Sequence, residues 1–154
     1  MANEPNKEWE TGLIGGIEKR VIEIVSYQCD WPLKFQRFAE HIKKTLPEIA
    51  LQIEHIGSTS VKGLAAKPII DILVVVLDTA NEDLYLPDMQ SSGYQLRVRE
   101  PDFEEHRMFR TPGKDVQIHF YPAASSEIKR HLLFRDFLRI NLDARDQYAA
   151  LNAN

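Results

Sequence analysis

The sequence predicts an α+β fold in which helices flank a mixed β-sheet within a single domain. A length of 154 residues suits one domain. Hydrophobic residues make up 44% and charged residues 27%, which is typical of a folded globular chain. Strand-like and helix-like segments are mixed rather than strictly alternating, and Pro112-Gly113 between two strand-like segments predicts a hairpin. Because a hairpin contributes an antiparallel pair, we expect a mixed sheet.

The start of the chain predicts a flexible lead-in, a strand and a helix. Residues 1–20 are polar and contain two adjacent glycines, so we assign them to the lead-in and residues 21–154 to the domain. The β-branched run over residues 21–26 predicts a strand. Apolar residues then recur at helical spacing, with Pro32 at a first helical position and Pro47 after the last turn. This pattern predicts an amphipathic helix between the two prolines.

The rest of the chain predicts five further strands and three helices. Residues 51–56 alternate imperfectly, as in a half-buried strand, whereas residues 69–77 are apolar on both faces, as in a covered interior strand. The other strands are expected over residues 94–99, 106–111 and 115–121. The helices are expected over residues 81–90, from a cap at Ser125 or Ser126 to about Asn141, and from a cap at Asp143 to Leu151.

Composition excludes several classes of protein. With 19 basic and 23 acidic residues the formal net charge is −4, so general nucleic-acid binding is not expected. The single cysteine, Cys29, cannot form an internal disulfide and is expected to be a small buried apolar side chain in a reducing compartment. The longest apolar run is far shorter than the ~20 residues that cross a bilayer, and residues 1–20 lack the apolar stretch of a secretory signal. We therefore expect no membrane association and a cytoplasmic location.

Asp71 is the most informative residue. It interrupts a strand predicted to be buried on both faces, where an ionised carboxylate costs several kcal/mol unless it is paired or bound to a metal. Gly57-Ser58, at the end of the preceding strand, offers backbone N–H groups and a hydroxyl that suit a phosphate. If the two strands pair, the loop and the carboxylate share one edge of the sheet. This combination is the minimum for metal-assisted phosphoryl or nucleotidyl transfer.

Each of these residues also has a purely structural interpretation. Gly57-Ser58 could be a tight turn in which Ser58 or Thr59 caps the next turn. Asp71 could form a buried ion pair, for which the candidate cations are Lys67, Arg107 and Arg135. His119 could be a half-buried strand histidine whose ring nitrogens contact backbone groups.

Common catalytic motifs are absent from the sequence. The loop from Gly57 to Gly63 lacks the Lys-Ser/Thr pair that follows the second glycine of a P-loop, which excludes a P-loop kinase. The sequence also contains no Gly-x-Ser-x-Gly, His-Glu-x-x-His or Cys-x-x-Cys motif. The usual hydrolase, zinc protease and redox classes are therefore excluded.

The segment from Glu54 to Val74, EHIGSTSVKGLAAKPIIDILV, closely resembles the signature of the GrpB family, a branch of the nucleotidyltransferase-fold superfamily. The resemblance extends through residues 27–31, 117–119 and 131–139. It implies a nucleotidyltransferase-like mixed sheet flanked by helices, with a Gly-Ser loop, a short helix and an acidic strand. It implies no settled activity, although similar domains occur fused to dephospho-coenzyme A kinase.

The sequence departs from the pattern of active nucleotidyltransferases. Their acidic strand usually carries two carboxylates two positions apart, whereas here the partner of Asp71 is Leu73. A later strand usually supplies a third carboxylate, and the corresponding strand here places Asp115, Gln117 and His119 on one face. Imidazole suits zinc or manganese better than magnesium. Any catalysis is therefore expected to be weak or absent.

These observations lead to one main hypothesis and two alternatives. The domain is expected to bind a nucleotide or another phosphorylated small molecule, with possible transfer of a nucleotidyl group to a hydroxyl acceptor. Asp71 and His119 are the candidate catalytic residues and the candidate ligands of a weak Mg²⁺ site, at which another divalent ion is possible. The candidate phosphate-binding residues are Gly57, Ser58, Lys67, Gln117, His131 and Arg135. The alternatives are a non-catalytic binding or folding-partner module with a protein partner, and a structural domain in which Asp71 pairs with arginine.

Overall fold

The computed structural model describes residues 12–152, which form one five-stranded sheet and four α-helices. The strands are β1 (Gln52–Ile56), β2 (Ile70–Val76), β3 (Gln95–Glu100), β4 (His106–Arg110) and β5 (Val116–Pro122). The helices are α1 (Trp31–Thr45), α2 (Leu86–Ser91), α3 (Ser126–Ile140) and α4 (Leu142–Asn152). Two short 3₁₀ turns lie at Ser58–Ser60 and Glu82–Leu84.

The sheet is mixed, as the sequence predicts. Its strand order is β1-β2-β5-β4-β3. The central pair β2 and β5 is parallel, and the other three pairs are antiparallel. The hairpin between β4 and β5 turns through residues 111–115 and so confirms the prediction from Pro112-Gly113. Packed residues cover both faces of β2, where every position except Asp71 is buried, which explains its continuous apolar run.

The two faces of the sheet bury different cores. The even-numbered residues of β2, from Ile70 to Val76, pack with α1 and α2 in the main core, where Trp31 and Ile42 of α1 are buried. The odd-numbered residues Asp71, Leu73 and Val75 lie on the other face, which α3 covers. Each large apolar side chain buried in these layers contributes about 1.5–3 kcal/mol. Asp71 therefore lies on the face opposite the main core, near the start of β2.

Two predicted elements differ from the structure. The expected strand over residues 21–26 is wrong, since this segment makes one isolated bridge, between Val25 and Ala66, and Val21 is 95% exposed. It does not join an edge of the sheet, so its β-branched side chains gain no strand partner. The expected helix over residues 81–90 is divided, and α2 begins only at Leu86. Pro87 lacks an N–H group and is tolerated only in the first turn of a helix, where it lies.

The caps of α3 and α4 illustrate a correct prediction and a wrong one. The Ser125 hydroxyl accepts a hydrogen bond from the Glu127 N–H at 3.1 Å, so Ser125 caps α3 as expected. Asp143 does not cap α4. The helix begins at Leu142, before Asp143, and the Asn141 side-chain oxygen accepts from the Ala144 N–H at 2.9 Å.

Part of the expected lead-in lies along an edge of the sheet. Residues 1–11 are outside the described residues, so their flexibility stays a prediction. The Ile14 N–H donates to the Arg97 carbonyl and the Arg99 N–H donates to the Gly12 carbonyl, both at 2.7 Å. Glu18 accepts hydrogen bonds from Arg110 and Lys114. The two backbone hydrogen bonds lie along the open edge of β3, and Glu18 ties the segment to β4 and the hairpin turn.

Two expectations drawn from composition are also addressed by the structure. Cys29 is exposed, so the expectation that it is buried is wrong. It lies in the turn before α1, where its neighbours Gln28 and Asp30 are also exposed. Within residues 12–152, no helix is long and apolar enough to cross a membrane.

Candidate functional site

A cleft of about 340 Å³ lies at the end of the sheet where β1 ends and β2 and β5 begin. We call it the Asp71 cleft. Its polar lining consists of Ser58, Lys67, Asp71, Gln117 and Tyr148, and its apolar lining includes Ile22, Ile24 and Ile69. The parallel register places Gln117 of β5 beside Asp71 of β2. The fold therefore brings together four of the residues that the sequence predicts for the site.

The turn after β1 is built around Gly57. Its dihedral angles, φ 77° and ψ −167°, lie in a region that is essentially restricted to glycine. A Cβ atom at this position would lie 2.7 Å from Oδ2 of Asp71. The missing side chain thus lets the carboxylate approach the backbone of the turn.

Hydrogen bonds hold the turn that follows Gly57. The Ser60 hydroxyl donates to the Gly57 carbonyl at 2.5 Å, and the Thr59 hydroxyl donates to the Ile69 carbonyl at 3.1 Å. Neither Ser58 nor Thr59 caps the turn, contrary to the structural interpretation. Ser58 instead lies with its hydroxyl 3.1 Å from the Tyr148 hydroxyl and faces the Asp71 cleft.

Asp71 is paired with a histidine rather than with an arginine or lysine. Its Oδ1 atom lies 3.1 Å from Nε2 of His119, and its side chain is 27% exposed. Two of the three expected cations are engaged elsewhere: Arg107 with Glu82 and Glu105, and Arg135 with Glu54 and Asp136. Lys67 lines the cleft but forms no ion pair with Asp71 among the described residues. The predicted ion pair of Asp71 with a lysine or arginine is therefore wrong.

Asp71 ends a chain of four titratable side chains. Nδ1 of His106 lies 2.7 Å from Oε1 of Glu100, and Nε2 of His106 lies 3.0 Å from Nδ1 of His119. With the bond from His119 to Asp71, three hydrogen bonds link two carboxylates through two imidazole rings. Two neutral rings supply only two N–H groups. When both carboxylates are ionised, three hydrogen bonds therefore require one ring to carry a second proton.

His106 is neutral near pH 7. Burial, followed by the charge of His119, lowers the pKa of His106 to about 4, although Glu100 acts in the opposite direction. The Nε2 atom of His119 that contacts Asp71 could bind a metal ion only if it carried no proton.

The carboxylate set of a two-metal site is not present in the described part of the chain. No group of three or more His, Cys, Asp or Glu side chains within residues 12–152 is placed to hold a metal ion. Leu73, at the position of the usual second carboxylate, is fully buried with Ile56, Val75 and Tyr121. The residues present therefore do not fit two metal ions. Asp71 could hold a single cation together with oxygen atoms of a bound ligand.

Two candidate site residues, His131 and Arg135, do not line the Asp71 cleft, and neither does Asp115, which the sequence places on one strand face with Gln117 and His119. His131 packs its ring 5.8 Å from that of Tyr121, and burial, followed by the charge of His119, lowers the pKa of His131. Arg135 donates to Glu54 at 2.8 Å and to Asp136 at 2.8 Å. Asp115 does not join Gln117 and His119, because it pairs with Lys34 and accepts from Thr111. Arg135 and Asp115 are therefore paired with residues of β1, α3 and α1, whereas Nε2 of His131 is buried without a hydrogen-bond partner among the described residues.

The sequence analysis misses Tyr148, Glu100 and His106. Tyr148 reaches Ser58 across 90 residues of chain, and Glu100 joins the histidine pair from the last residue of β3. No local motif marks such contacts, because they depend on strand order and on the packing of α4. His106 is an exception, because the predicted hairpin of β4 and β5 already brings it close to His119.

The mixed sheet and its flanking helices form an α+β domain of the nucleotidyltransferase fold. A comparison with protein families identifies the particular branch. The model described as GrpB protein matches residues 21–154, and the chain belongs to the GrpB family.

Curated relatives agree with this assignment. A UPF0157 protein of Halalkalibacterium halodurans is 52% identical over 128 residues, which cover 83% of this chain and 66% of the relative. A dephospho-CoA kinase of Mycolicibacterium paratuberculosis is 26% identical over 161 residues, which cover 88% of this chain and 40% of that enzyme. The chain therefore spans less than two thirds of the length of either relative.

Solved structures are similar to this chain at two levels. The crystal structure of the conserved protein GrpB from Enterococcus faecalis has a TM-score of 0.75 and 39% identity, and the match covers 83% of this chain and 79% of that chain. A cytoplasmic RNA terminal U-transferase has a TM-score of 0.51 and 14% identity, covering 80% of this chain and 38% of that chain. The second likeness shows that the nucleotidyltransferase fold is shared.

Proposed function

We propose that the Asp71 cleft binds a nucleotide or another phosphorylated small molecule. The observation that carries the proposal is the convergence of the Gly57 turn, Lys67 and Asp71 on one open cleft. Its volume of about 340 Å³ falls in the range of small-molecule sites. A glycine turn permits close approach of phosphate oxygens to backbone N–H groups, and a lysine ammonium supplies positive charge.

The charges of the cleft support a phosphorylated ligand accompanied by a cation. Lys67 is exposed at the rim and attracts an anion, whereas the Asp71 carboxylate repels one. A divalent ion between Asp71 and phosphate oxygens would remove this repulsion by neutralising charge on both sides. Gln117 carries an amide that can donate a hydrogen bond to the same ligand.

In a transfer reaction a hydroxyl of the acceptor would attack the α-phosphorus, and pyrophosphate would leave. Asp71 would accept the hydroxyl proton or hold the cation, and His119 would orient the carboxylate through its hydrogen bond. Lys67 would offset charge that develops on the phosphate oxygens. Because Leu73 replaces a second carboxylate, the proposed transfer is slow.

A non-catalytic ligand-binding or folding-partner module is the second candidate function. The presence of Leu73 favours this candidate, because position 73 is buried in an apolar cluster and supplies no second carboxylate to the site. The two candidates share the cleft and differ in one measurement. The transferase releases pyrophosphate from a nucleoside triphosphate in the presence of an acceptor, and the binding module does not.

Ligand-induced stabilisation tests the binding proposal. The melting temperature is measured with millimolar nucleoside triphosphates, each with and without Mg²⁺. At a ligand concentration of about 100 times Kd, the native state gains about 2.7 kcal/mol, which raises Tm by several degrees. Asp71→Asn is expected to remove the part that depends on Mg²⁺, and Lys67→Gln to weaken the shift with and without the metal. Asp83→Asn, at an exposed carboxylate of the Glu82–Leu84 turn, serves as the control.

Three results would contradict the proposal. The first is the absence of a Tm shift with all four ribonucleotides and Mg²⁺. The second is a shift of equal size in Lys67→Gln and the unaltered protein, because Lys67 is exposed and its substitution leaves the fold intact. The third is a shift that Asp83→Asn reduces as much as Asp71→Asn does. If Asp71→Asn fails to fold, the Lys67→Gln comparison still decides.

A further inference from the structure

A second concave surface lies beside the Ser58–Ser60 turn and outside the Asp71 cleft. It has a volume of about 380 Å³ and is lined by Tyr27, Pro32, Ser60, Lys62, Arg139 and Arg145. We call it the basic pocket. Three of its six lining residues are cationic and none is acidic. A protein with a net charge of −4 thus gathers three positive groups around one hollow.

Backbone contacts fix the two arginines of the basic pocket. Nε of Arg139 donates to the Ser60 carbonyl at 3.0 Å. Arg145 donates from Nε to the Leu138 carbonyl at 3.2 Å and from Nη2 to the Arg139 carbonyl at 2.9 Å. A guanidinium group has five N–H donors, so each arginine keeps donors beyond these bonds. Both side chains are therefore held in place with hydrogen-bonding capacity to spare.

The positive charge of the pocket is poorly compensated. Lys62 is exposed and makes no hydrogen bond or ion pair with the residues described in the structure. Asp136 lies 3.9 Å from Nη1 of Arg139, but it accepts a shorter bond of 2.8 Å from Arg135. Burial and then the charge of Arg135 lower the pKa of Arg139. Arg135 lies outside the pocket, and an anion placed between Lys62, Arg139 and Arg145 would offset the positive charge there.

We propose that the basic pocket binds the phosphate group of a small molecule, as a site separate from the Asp71 cleft. Guanidinium groups match a tetrahedral oxyanion through paired N–H donors, and the Lys62 ammonium adds a mobile positive charge. The Tyr27 ring and Pro32 offer an apolar surface for the rest of the ligand. This proposal does not depend on nucleotide binding in the cleft.

The two sites share their supporting elements. Ser58 faces the Asp71 cleft and Ser60 the basic pocket, from opposite ends of one 3₁₀ turn. Helix α4 contributes Tyr148 to the cleft and Arg145 to the pocket, three residues apart. A molecule that carries phosphate in the basic pocket therefore lies on the other side of the turn from the proposed nucleotide. This is the arrangement expected for a second substrate or for an effector.

Pyrophosphate without metal is the probe for this site. Its binding is measured by calorimetry and by NMR titration of backbone amides in the unaltered protein and in variants. Lys62→Gln and Arg145→Gln are each expected to weaken binding about tenfold, the loss of one charge-assisted contact. The largest amide shifts are expected near Ser60 and Lys62. Lys129→Gln, at an exposed lysine of α3, is the control for general electrostatic effects and is expected to bind normally.

The comparison with Lys67→Gln separates the two sites. If Lys67→Gln weakens pyrophosphate binding and Lys62→Gln does not, the ion binds in the Asp71 cleft and the basic-pocket proposal is overturned. Equal weakening in Lys62→Gln and Lys129→Gln, or no binding at millimolar pyrophosphate, also overturns it. Arg145 joins α3 to α4, so Arg145→Gln can lose stability. Lys62→Gln then decides alone, because that side chain is exposed.

Discussion

Gly57 is the residue on which the contact between turn and carboxylate depends. Its backbone lies in a region open essentially to glycine, and the space of a Cβ atom is taken by the Asp71 side chain. Two separate physical requirements therefore select glycine at this position. Either one alone would disfavour substitution, and together they fix how near Asp71 lies to the backbone.

Replacing Gly57 by alanine is expected to destabilise the protein more than the same change at Gly93. Both residues have positive φ, 77° and 97°, but a Cβ at Gly93 meets no atom within 4 Å. Gly93→Ala is expected to cost about 1 kcal/mol for backbone strain alone. Gly57→Ala is expected to cost about 3 kcal/mol, since a close contact with Asp71 is added to the strain. Urea unfolding measures both values, and equal losses would show that the contact is unimportant.

The sequence is a good guide to some residues of the site and a poor one to others. Asp71 can be recognised because an ionised carboxylate in an apolar strand is costly unless a partner stabilises it. Gly57-Ser58 can be recognised because glycine permits backbone conformations and close approaches that other residues do not. Tyr148 gives no such signal, because its role depends on a contact made across 90 residues. Cys29 illustrates a failure of residue type as a guide to burial, since cysteine is usually buried and this one is exposed.

At the scale of elements, β2 and β5 position the site and α3 limits its chemistry. The parallel pairing of β2 with β5 places Asp71 beside Gln117 and Leu73 beside His119. Ile128 and Leu132 of α3 pack against the cluster that contains Leu73. The helix therefore seals the place where a second carboxylate would stand. The leucine at position 73 suits the apolar layer that α3 forms over this face.

A carboxylate introduced at position 73 is expected to unfold the protein rather than activate it. Leu73→Asp would bury a charge among apolar side chains, at a cost of about 3–5 kcal/mol. Leu73→Met is the matched control, because it preserves volume and is expected to cost less than about 1.5 kcal/mol. Urea unfolding at neutral pH measures both. A folded Leu73→Asp protein with nearly unaltered stability would show that α3 can move away from β2.

Strong local patterns predict elements well, and weak ones fail where tertiary contacts decide. The apolar run of β2 and the helical spacing of α1 are long enough to identify both elements. The β-branched segment at residues 21–26 has the same local preference for strand, yet it finds a partner only at Val25. A strand is stabilised by packing against neighbouring strands, and local sequence does not show whether a neighbouring strand lies beside the segment.

At the scale of the whole molecule, two buried histidines link the site to global stability. His55 of β1 stacks on Phe35 of α1, with ring centroids 4.9 Å apart, and its Nε2 lies 3.0 Å from the Thr59 hydroxyl. Because that hydroxyl already donates to the Ile69 carbonyl, neutral His55 donates from Nε2. His106 lies across the sheet in the chain that ends at Asp71. Both rings are neutral in the native protein and bridge elements of the site to the core.

The free energy of unfolding is therefore expected to fall as pH decreases from about 6.5 to about 4. Burial, followed by the charge of Arg139, lowers the pKa of His55 from 6.5 to about 4, and burial lowers that of His106 to about 4. Between these values the unfolded chain binds protons that the native protein does not, so acid favours unfolding. Above pH 6.5 neither state is protonated at these rings, and their effect is constant. The full loss from His55 is about 3 kcal/mol.

Urea unfolding at intervals from pH 7.5 to pH 4 measures this dependence, and His55→Gln provides the comparison. Glutamine keeps a donor for Thr59 but does not titrate, so the decline of stability with acid is expected to become shallower while the contributions of His106 and His131 remain. The comparison is read between pH 7.5 and pH 5, because some carboxylates lose stabilising contributions at lower pH. Hydrogen bonds from Arg110 and Lys114 lower the pKa of Glu18 to about 2, and the pKa values of Glu82 and Asp115 are also lowered, so their contributions are lost mainly below about pH 4.5. An unfolding free energy that is the same at pH 7 and pH 5 would mean that both rings accept protons in the native state. The closed packing around β1 and β4 would then have to open to admit the charge, and the site would be far less rigid than its hydrogen bonds imply.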